Sequence, residues 1–229
     1  MEFEEALKSM KFRRQSVLEI IDDIAFHLEN AELKSGMAEE SIFARAAINN
    51  ASLLGECIAN SCIYSLQLQK QLFNEIDRLP TIAKFDYYLF ATKNIHIDRS
   101  LHNAELFSGV LSLRDVIVHP KPRPGKAEIT NSEISINYGA IKSLKISLDQ
   151  RSWNVKSGKS VVKAVLDFIR NFFVDLCCYN KGQVTAMLGS TESSMANPEF
   201  NMWAHISQQQ YDRYNRYIPI CFEFLNLKV

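Results

Sequence analysis

Glycine and proline are scarce in this chain, with eight and six residues among 229. Turn-rich all-β folds need many of both, so their scarcity argues against such a fold and favours long helices. No stretch approaches the roughly 18 consecutive apolar residues of a membrane-spanning helix. Low-complexity segments and internal repeats are also absent. A globular, mainly helical protein is therefore predicted.

An excess of charge is missing too, because 26 basic and 26 acidic side chains cancel. A global polyanion-binding surface is therefore not expected, and contact with nucleic acid must come from a local patch. The odd number of cysteines, with no metal-type spacing, predicts reduced, buried thiols and a cytoplasmic location. They are Cys57, Cys62, Cys177, Cys178 and Cys221. Residues 1–5 have no basic region or apolar run, so no export signal is expected.

Apolar residues recur at helical spacing through most of the chain. The predicted helices cover 2–33, 38–78, 82–92, a segment from Asp98 to about His119, 160–187 and a last segment from Pro198 to about Tyr217. Asp98 is the expected cap of the fourth helix, and Pro80 the expected end of the second. Ile42, Leu53 and Leu72 are among the residues expected on the apolar side of the second helix. Its many small residues allow close packing, which predicts a central position in a bundle.

The apolar period changes to two after the fourth helix. One alternating run includes Ile134 and Ile136, another includes Ile146 and Leu148, and Gly139 stands between them. This pattern predicts a β-hairpin at about 127–150. The predicted fold is an antiparallel up-and-down helical bundle over 1–189 with this inserted hairpin. A helical and extended appendage over 190–229, joined by a linker at 190–196, is expected to pack on the bundle or a dimer interface.

Arg114, Asp115 and His119 close the fourth helix, immediately before Pro120. An arginine beside an apolar stripe is a good bidentate anchor for phosphate, and a histidine can transfer a proton near neutral pH. Arg114 and His119 are about 140° apart on an ideal helix, so they share one site only if the helix frays at His119. Pro120 favours fraying, because a residue before proline avoids the α conformation.

A basic loop with Lys121, Arg123 and Lys126 follows, and its side chains are the predicted RNA contacts. With the arginine and histidine they form a candidate phosphodiester site. A simpler interpretation is a surface ion pair between Arg114 and its acidic neighbour, with His119 interacting with the negative end of the helix dipole. Chemistry alone favours this simpler interpretation.

Residues 114–119, RDVIVH, resemble the Arg–(Asn/Asp/His)–x–x–x–His signature of the HEPN superfamily, on a helix that ends at the histidine. A long helix rich in small residues before the motif and an antiparallel helix after it are also similar to that family. The resemblance implies a four-helix bundle that dimerises so that two motifs face each other. It further implies a metal-independent, cofactor-free endoribonuclease, of a kind often found among toxins and antiviral effectors.

The resemblance gives each motif residue a role. Arg114 is expected to bind and polarise the scissile phosphate, and His119 to act as general acid/base for attack by the RNA 2′-OH. Asp115 occupies a position where asparagine is commonest, and a carboxylate there either orients Arg114 or repels phosphate. One histidine per chain is short of two proton carriers, and a two-fold dimer supplies the second. The expected partners are RNA, a second copy, and an antitoxin or nucleotidyltransferase protein; the alternative is a catalytically inactive module.

Several other residues could have either a functional role or an ordinary structural one. His96, Asp98 and His102 lack a recognised metal-ligand spacing, so a solvated loop is favoured over a metal site. Glu56 and Asn60, one turn apart, either face the motif across the bundle or form an ordinary polar pair.

The C-terminal aromatics are expected in the core or an interface rather than stacked on bases; they are Phe200, Trp203, Tyr211, Tyr214, Tyr217, Phe222 and Phe224. Adjoining Cys177 and Cys178 are expected to be inert within a helix.

Overall fold

A computed structural model describes residues 16–119, 122, 124–130, 133–189 and 202–229. The described chain is mainly helical, as predicted, and also contains short strand pairs. Helix α1 (Val17–Leu33) and helix α2 (Ala38–Ser65) pack side by side after a turn in which Gly36 has a φ of +81°. The Gly36 N–H donates to Glu40 Oε2 at 2.7 Å, which ties the turn to the start of α2.

Helix α2 lies in the centre of the bundle, as its small residues predicted, and contacts most of the other helices. A Cβ added at Gly55 would lie 2.8 Å from the ring of Phe107, so glycine permits this close approach. The apolar side assigned from the sequence was partly wrong, because Ile42 and Leu53 are about half exposed. The buried face consists instead of Ala44, Ala47, Ile48, Ala51, Leu54, Ile58, Ala59, Cys62 and Ile63.

The predicted continuous helix over 38–78 was wrong. Helix α2 ends at Ser65, and a separate helix α3 (Lys70–Ile76) follows a break at Gln67, whose φ is +48°. Leu66 and Leu68 pack against the core on either side of this residue. The chain must change direction to bury both leucines. We infer that this burial favours the break more strongly than local helix propensity favours a continuous helix. Leu72, predicted on the apolar side, is 41% exposed on α3.

Helix α4 (Thr81–Lys93) matches the prediction of 82–92 and starts directly after Pro80. Helix α5 (His102–Val118) begins later than expected, with Leu101 at its N-cap. The proposed cap was wrong, because the Asp98 carboxylate accepts hydrogen bonds from the N–H and hydroxyl of Ser100 in the preceding turn.

The inserted β-structure consists of two strand pairs instead of one hairpin. Strands β1 (Lys126–Thr130) and β2 (Glu133–Asn137) are antiparallel. Strands β3 (Ala140–Ile141) and β4 (Ile146–Ser147) form a second, shorter pair. Gly139, with a φ of +88°, joins the two pairs instead of forming the turn of one.

Helix α6 (Val155–Arg170) is capped by the Asn154 side chain and continues as a π-helix over Asn171–Leu176. The predicted helix over 160–187 was wrong at its end, because Cys178 has a φ of +56° and breaks it. Helix α7 (Lys181–Leu188) then starts with its own capping box. Cys178 is also exposed, contrary to the expectation for all five cysteines.

The C-terminal segment contains strand β5 (Ala204–His205), helix α8 (Gln208–Tyr217), helix α9 (Cys221–Phe224) and strand β6 (Leu227–Lys228). Trp203 precedes β5 and is not helical, contrary to the prediction, because Ser207 forms the capping box that starts α8. Strand β6 pairs in parallel with β5, on the other side of α8 and α9 in the sequence. Helix α8 packs on α1, where Arg213 Nε donates to Glu29 Oε2 at 2.8 Å. The predicted linker at 190–196 and Pro198 lie outside the described residues.

Candidate functional site

The rotation of α5 decides where the motif residues lie. Ala104, Phe107, Val110 and Leu113 are buried and form one stripe along the helix. Phe107 stacks on Phe168 of α6, with ring centroids 4.1 Å apart and planes 2° from parallel, which anchors the helix to the core. The next residue after the stripe, Arg114, therefore lies at its edge, with 33% of its side chain exposed.

Arg114 is paired across the bundle with Glu56 of α2. Its Nη2 lies 2.8 Å from Glu56 Oε2, and its Nη1 lies 3.8 Å from Asp115 Oδ1. Glu56 Oε2 is buried, and within the described chain it accepts no hydrogen bond, so its contact with Arg114 is an ion pair without hydrogen-bond alignment. Of the two polar residues suggested by the sequence, Glu56 does face the motif.

Asn60 contacts a different cation. Its Oδ1 accepts a hydrogen bond from Lys84 Nζ at 2.7 Å, and the same ammonium lies 3.2 Å from Asp77 Oδ1. Lys84 is 5% exposed, and sequence reasoning missed it. The available signal was its spacing of four residues from Tyr88, which placed it on the buried face of α4. This charge is buried and paired with side chains of the same bundle, so it is not available to a ligand.

His119 leaves the helix, as the following proline predicted. Its φ and ψ are −119° and 66°, its N–H donates to the Asp115 carbonyl at 3.0 Å, and its side chain is exposed. Arg114 and His119 therefore lie within one turn of the end of α5, and the histidine is accessible to a large substrate. The ideal-helix separation of the two side chains no longer applies at this position.

The basic loop is only partly described. Lys126 begins β1 and is exposed, as are Pro124 and Gly125 before it. Lys121 and Arg123 lie outside the described residues, so their role as RNA contacts stays a prediction. Arg114, Glu56 and Asp115 together carry one net negative charge, so phosphate attraction at this site depends on cations beyond this triad.

Two of the remaining histidines, His96 and His205, have polar partners in the described chain. His96 Nδ1 lies 3.1 Å from Asp86 Oδ2, and its ring stacks on Phe90. His205 Nε2 accepts a hydrogen bond from the Trp203 indole. Burial lowers the pKa of His27, which lies beside two phenylalanine rings. Within the described ranges, no group of three or more His, Cys, Asp or Glu side chains is arranged to hold a metal ion.

The C-terminal aromatics fall into two groups. Tyr214, Tyr217 and Phe224 are buried, as expected for core residues. Trp203 and Tyr211 are partly exposed, and Lys228 Nζ lies 3.9 Å above the Trp203 ring. Phe200 lies outside the described residues. The buried tyrosines cannot stack on bases, which leaves little support for an aromatic RNA platform here.

The chain matches no protein-family model, no curated protein and no solved structure. The family resemblance therefore depends on residues 114–119 and their setting at the end of a core helix. None of the helices in the described part of the chain combines the length and the apolar character needed to cross a bilayer.

Proposed function

We propose that this protein is a metal-independent endoribonuclease of the HEPN type, acting in the cytoplasm as a homodimer with one RNA site formed by two motifs. The observation that carries this proposal is the geometry at the end of α5. There, Glu56 pairs with a partly exposed Arg114, and His119 leaves the helix five residues later. A fixed guanidinium and an accessible imidazole supply the charge and the proton transfer that RNA cleavage needs.

The reaction requires no group beyond these side chains. His119 accepts the proton of the 2′-OH, and the 2′-oxygen attacks phosphorus while the bond to the 5′-oxygen breaks. Arg114 stabilises the charge that develops on the phosphate oxygens. The departing 5′-oxygen takes a proton from His119 of the second protomer, and a 2′,3′-cyclic phosphate remains. The dimer is part of the proposal because each chain contributes one motif histidine.

Lys126 and the loop residues Lys121 and Arg123 would supply the positive charge that the Arg114 triad lacks. RNA is a polyanion, so these cations would add affinity without sequence preference. An active ribonuclease of this type would have to be inhibited in the cell that produces it. The family resemblance implies that an antitoxin or a nucleotidyltransferase partner provides this inhibition.

A second candidate function is a catalytically inactive module that binds RNA or a protein. It is favoured by the two carboxylates beside Arg114, at 2.8 and 3.8 Å, which compete with phosphate for the guanidinium. In this case the ion pair is a structural contact between α2 and α5. RNA binding without cleavage would then be the expected behaviour.

Cleavage of varied RNAs in EDTA by wild type and His119→Ala separates the two candidates. We expect wild-type cleavage with 2′,3′-cyclic phosphate ends and a loss of about 10²–10⁴-fold in the variant. His102→Ala is the matched control, because His102 is an exposed histidine at the opposite end of α5. Binding without cleavage by wild type would support the inactive module. Equal cleavage by His119→Ala would show that the assigned site is wrong.

A further inference from the structure

The turn between β3 and β4 packs on α5, the helix that carries the motif. A Cβ added at Gly109 would lie 2.4 Å from Ser143 Oγ, so glycine permits this close approach. The same Cβ would lie 3.2 Å from Leu144 Cγ, and Leu144 is 7% exposed. These contacts fix the turn, residues 142–145, against the middle of α5.

Two lysines occupy the corners of this turn. The Lys145 N–H donates to the Lys142 carbonyl at 3.3 Å, which brings the two Cα atoms within about 7 Å of each other. Both side chains are exposed, and neither forms an ion pair with another residue that the structure describes. No carboxylate occurs between Tyr138 and Leu148, so this segment has two positive charges and no negative one.

The backbone conformation at Lys145 is one that a lysine rarely adopts. Its φ is +54°, in the left-handed region that favours glycine or asparagine. A lysine therefore makes the turn less stable than either of these residues would. Residues held in such conformations cluster at binding sites, where the side chain has a use that offsets the strain.

The face of α5 beside the turn leads to the motif histidine. Ser112 and Val116 follow Gly109 by three and seven residues, so they lie on the same side of the helix, and Ser112 is exposed. His119 follows Val116 by three more residues. It lies about 15 Å from Gly109 along the helix axis, the length of about four nucleotides of a stacked strand. Glu105, an exposed carboxylate, precedes Gly109 by one turn and lies on the side away from His119.

We propose that the β3–β4 turn binds the backbone of a single-stranded RNA that extends from the cleavage site along this face of α5. Lys142 and Lys145 neutralise phosphates about four nucleotides from the scissile bond. They supply positive charge that the triad of Arg114, Glu56 and Asp115 lacks. RNA fits better than an acidic peptide, because one strand then contacts both the turn and the phosphodiester site. This inference rests on the proposed function for the position of the scissile phosphate.

Binding of a 2′-O-methyl RNA of about 12 nucleotides tests the turn without cleavage, because this RNA lacks the attacking hydroxyl. Its affinity is measured by fluorescence anisotropy over a range of KCl concentrations. Lys142→Gln/Lys145→Gln should weaken binding by about tenfold at low salt and reduce the slope of log K against log[KCl] by about 1.4. Lys70→Gln/Lys181→Gln removes the same charge from exposed positions on α3 and α7, and should change the affinity by less than about twofold. Equal weakening by both pairs, or unchanged binding by the first pair, overturns the proposal.

Substrate length separates this inference from the proposed function. With a cleavable RNA of the same length, Lys142→Gln/Lys145→Gln should lower kcat/KM by about tenfold. Cleavage of a dinucleotide should be unaffected, because a dinucleotide does not reach the turn. An equal loss with both substrates would show that the lysines act through the fold of the site, and overturns the inference. If the wild type binds RNA but cleaves neither substrate, the proposed cleavage is wrong and the binding experiment decides the role of the turn.

Lys145→Asn separates binding from structure at one position. Asparagine adopts a positive φ more readily than lysine, so thermal stability should not fall, whereas RNA affinity should fall by about fivefold at low salt. Lower stability with unchanged affinity would identify a structural lysine and overturn the proposal. Deca-glutamate that binds more tightly than the RNA, with the same dependence on both lysines, would assign the turn to an acidic protein instead.

Discussion

Two carboxylates in this molecule each pair with cationic side chains that are distant in sequence. They differ in the number of hydrogen bonds that they accept. Glu32 of α1 accepts hydrogen bonds at 2.7–2.8 Å from three side chains, Lys159, Arg216 and Tyr217. Glu56 of α2 has the ion pair with Arg114, and its buried Oε2 is left without a hydrogen bond in the described structure. One carboxylate is thus surrounded by aligned donors, whereas the other is held by charge alone.

This difference separates a structural contact from a candidate site. The hydrogen bonds from Lys159 and Tyr217 lower the pKa of Glu32 from 4.5 to about 2, so the cluster favours the ionised form strongly. Its donors are committed to joining α1, α6 and α8. The Arg114 guanidinium has five N–H donors and is one-third exposed, so part of it remains available to a substrate.

Replacing Arg114 gives the largest effect expected from this comparison. Arg114→Ala should lower the single-turnover rate of RNA cleavage by about 10²–10³-fold, because the guanidinium stabilises charge in the transition state. Arg114→Lys should recover only part of the rate, since an ammonium lacks the planar fork that binds two phosphate oxygens.

Stability must be measured beside this rate, because Arg114→Ala also leaves Glu56, whose Oε2 is buried, without its cation. The double variant Arg114→Ala/Glu56→Gln removes that unpaired charge, and should restore thermal stability without restoring cleavage. Recovery of cleavage in the double variant would show that Arg114 is a structural contact like those of Glu32.

Glu32→Gln tests the structural side of the comparison. We expect the free energy of unfolding to fall by about 1–2 kcal/mol at pH 7, a modest value because Glu32 is one-third exposed and partly screened by solvent. The lowered pKa means that the carboxylate stabilises the fold fully above pH 4.5 and loses this effect as the pH falls towards 2. Urea unfolding at several pH values should therefore show the two proteins converging in acid.

Glu75→Gln provides the control, because Glu75 is an exposed carboxylate on α3. Its unfolding free energy should stay near that of wild type at every pH. RNA cleavage should be unchanged in both glutamine variants. A loss of cleavage in Glu32→Gln would show that Glu32 also affects catalysis, so that the two carboxylates do not differ in role as proposed.

Sequence periodicity located helices best where apolar spacing and end signals agree. Helix α4 follows Pro80 and ends at Asn94, which adopts the left-handed conformation, and its bounds differ from the prediction by one residue at each end. The predictions were wrong at two helix ends that carry no glycine, proline or asparagine. Gln67 and Cys178 both have positive φ, and the packing of residues distant in sequence decides those breaks.

The site shows the same division between local and long-range effects. The departure of His119 from the helix follows from one neighbour, Pro120, and was predictable. The contact of Glu56 with Arg114 depends on how α2 and α5 cross, which no local pattern specifies. Lys84 was missed because a buried lysine is stable only with partners, and its partners lie on other parts of the chain.

The Asp115→Asn variant is expected to give the smallest effect. It tests whether the negative charge of Asp115 weakens RNA binding at the candidate site. Asp115 is 67% exposed and lies 3.8 Å from Arg114, so it is a weak, screened partner that adds negative charge where phosphate would bind. Removing that charge should raise RNA affinity by about two- to threefold at low salt, with a smaller gain at high salt.

Glu105→Gln removes an exposed carboxylate at the other end of α5, and should leave the RNA affinity unchanged. If Asp115 instead orients Arg114, the asparagine variant should lower kcat and leave KM unchanged, because the loss would appear only in the transition state. A gain in affinity identifies Arg114 as a cation that is partly neutralised but still open to substrate. If neither the RNA affinity nor kcat changes, Arg114 is a structural contact, like the donors that bind Glu32.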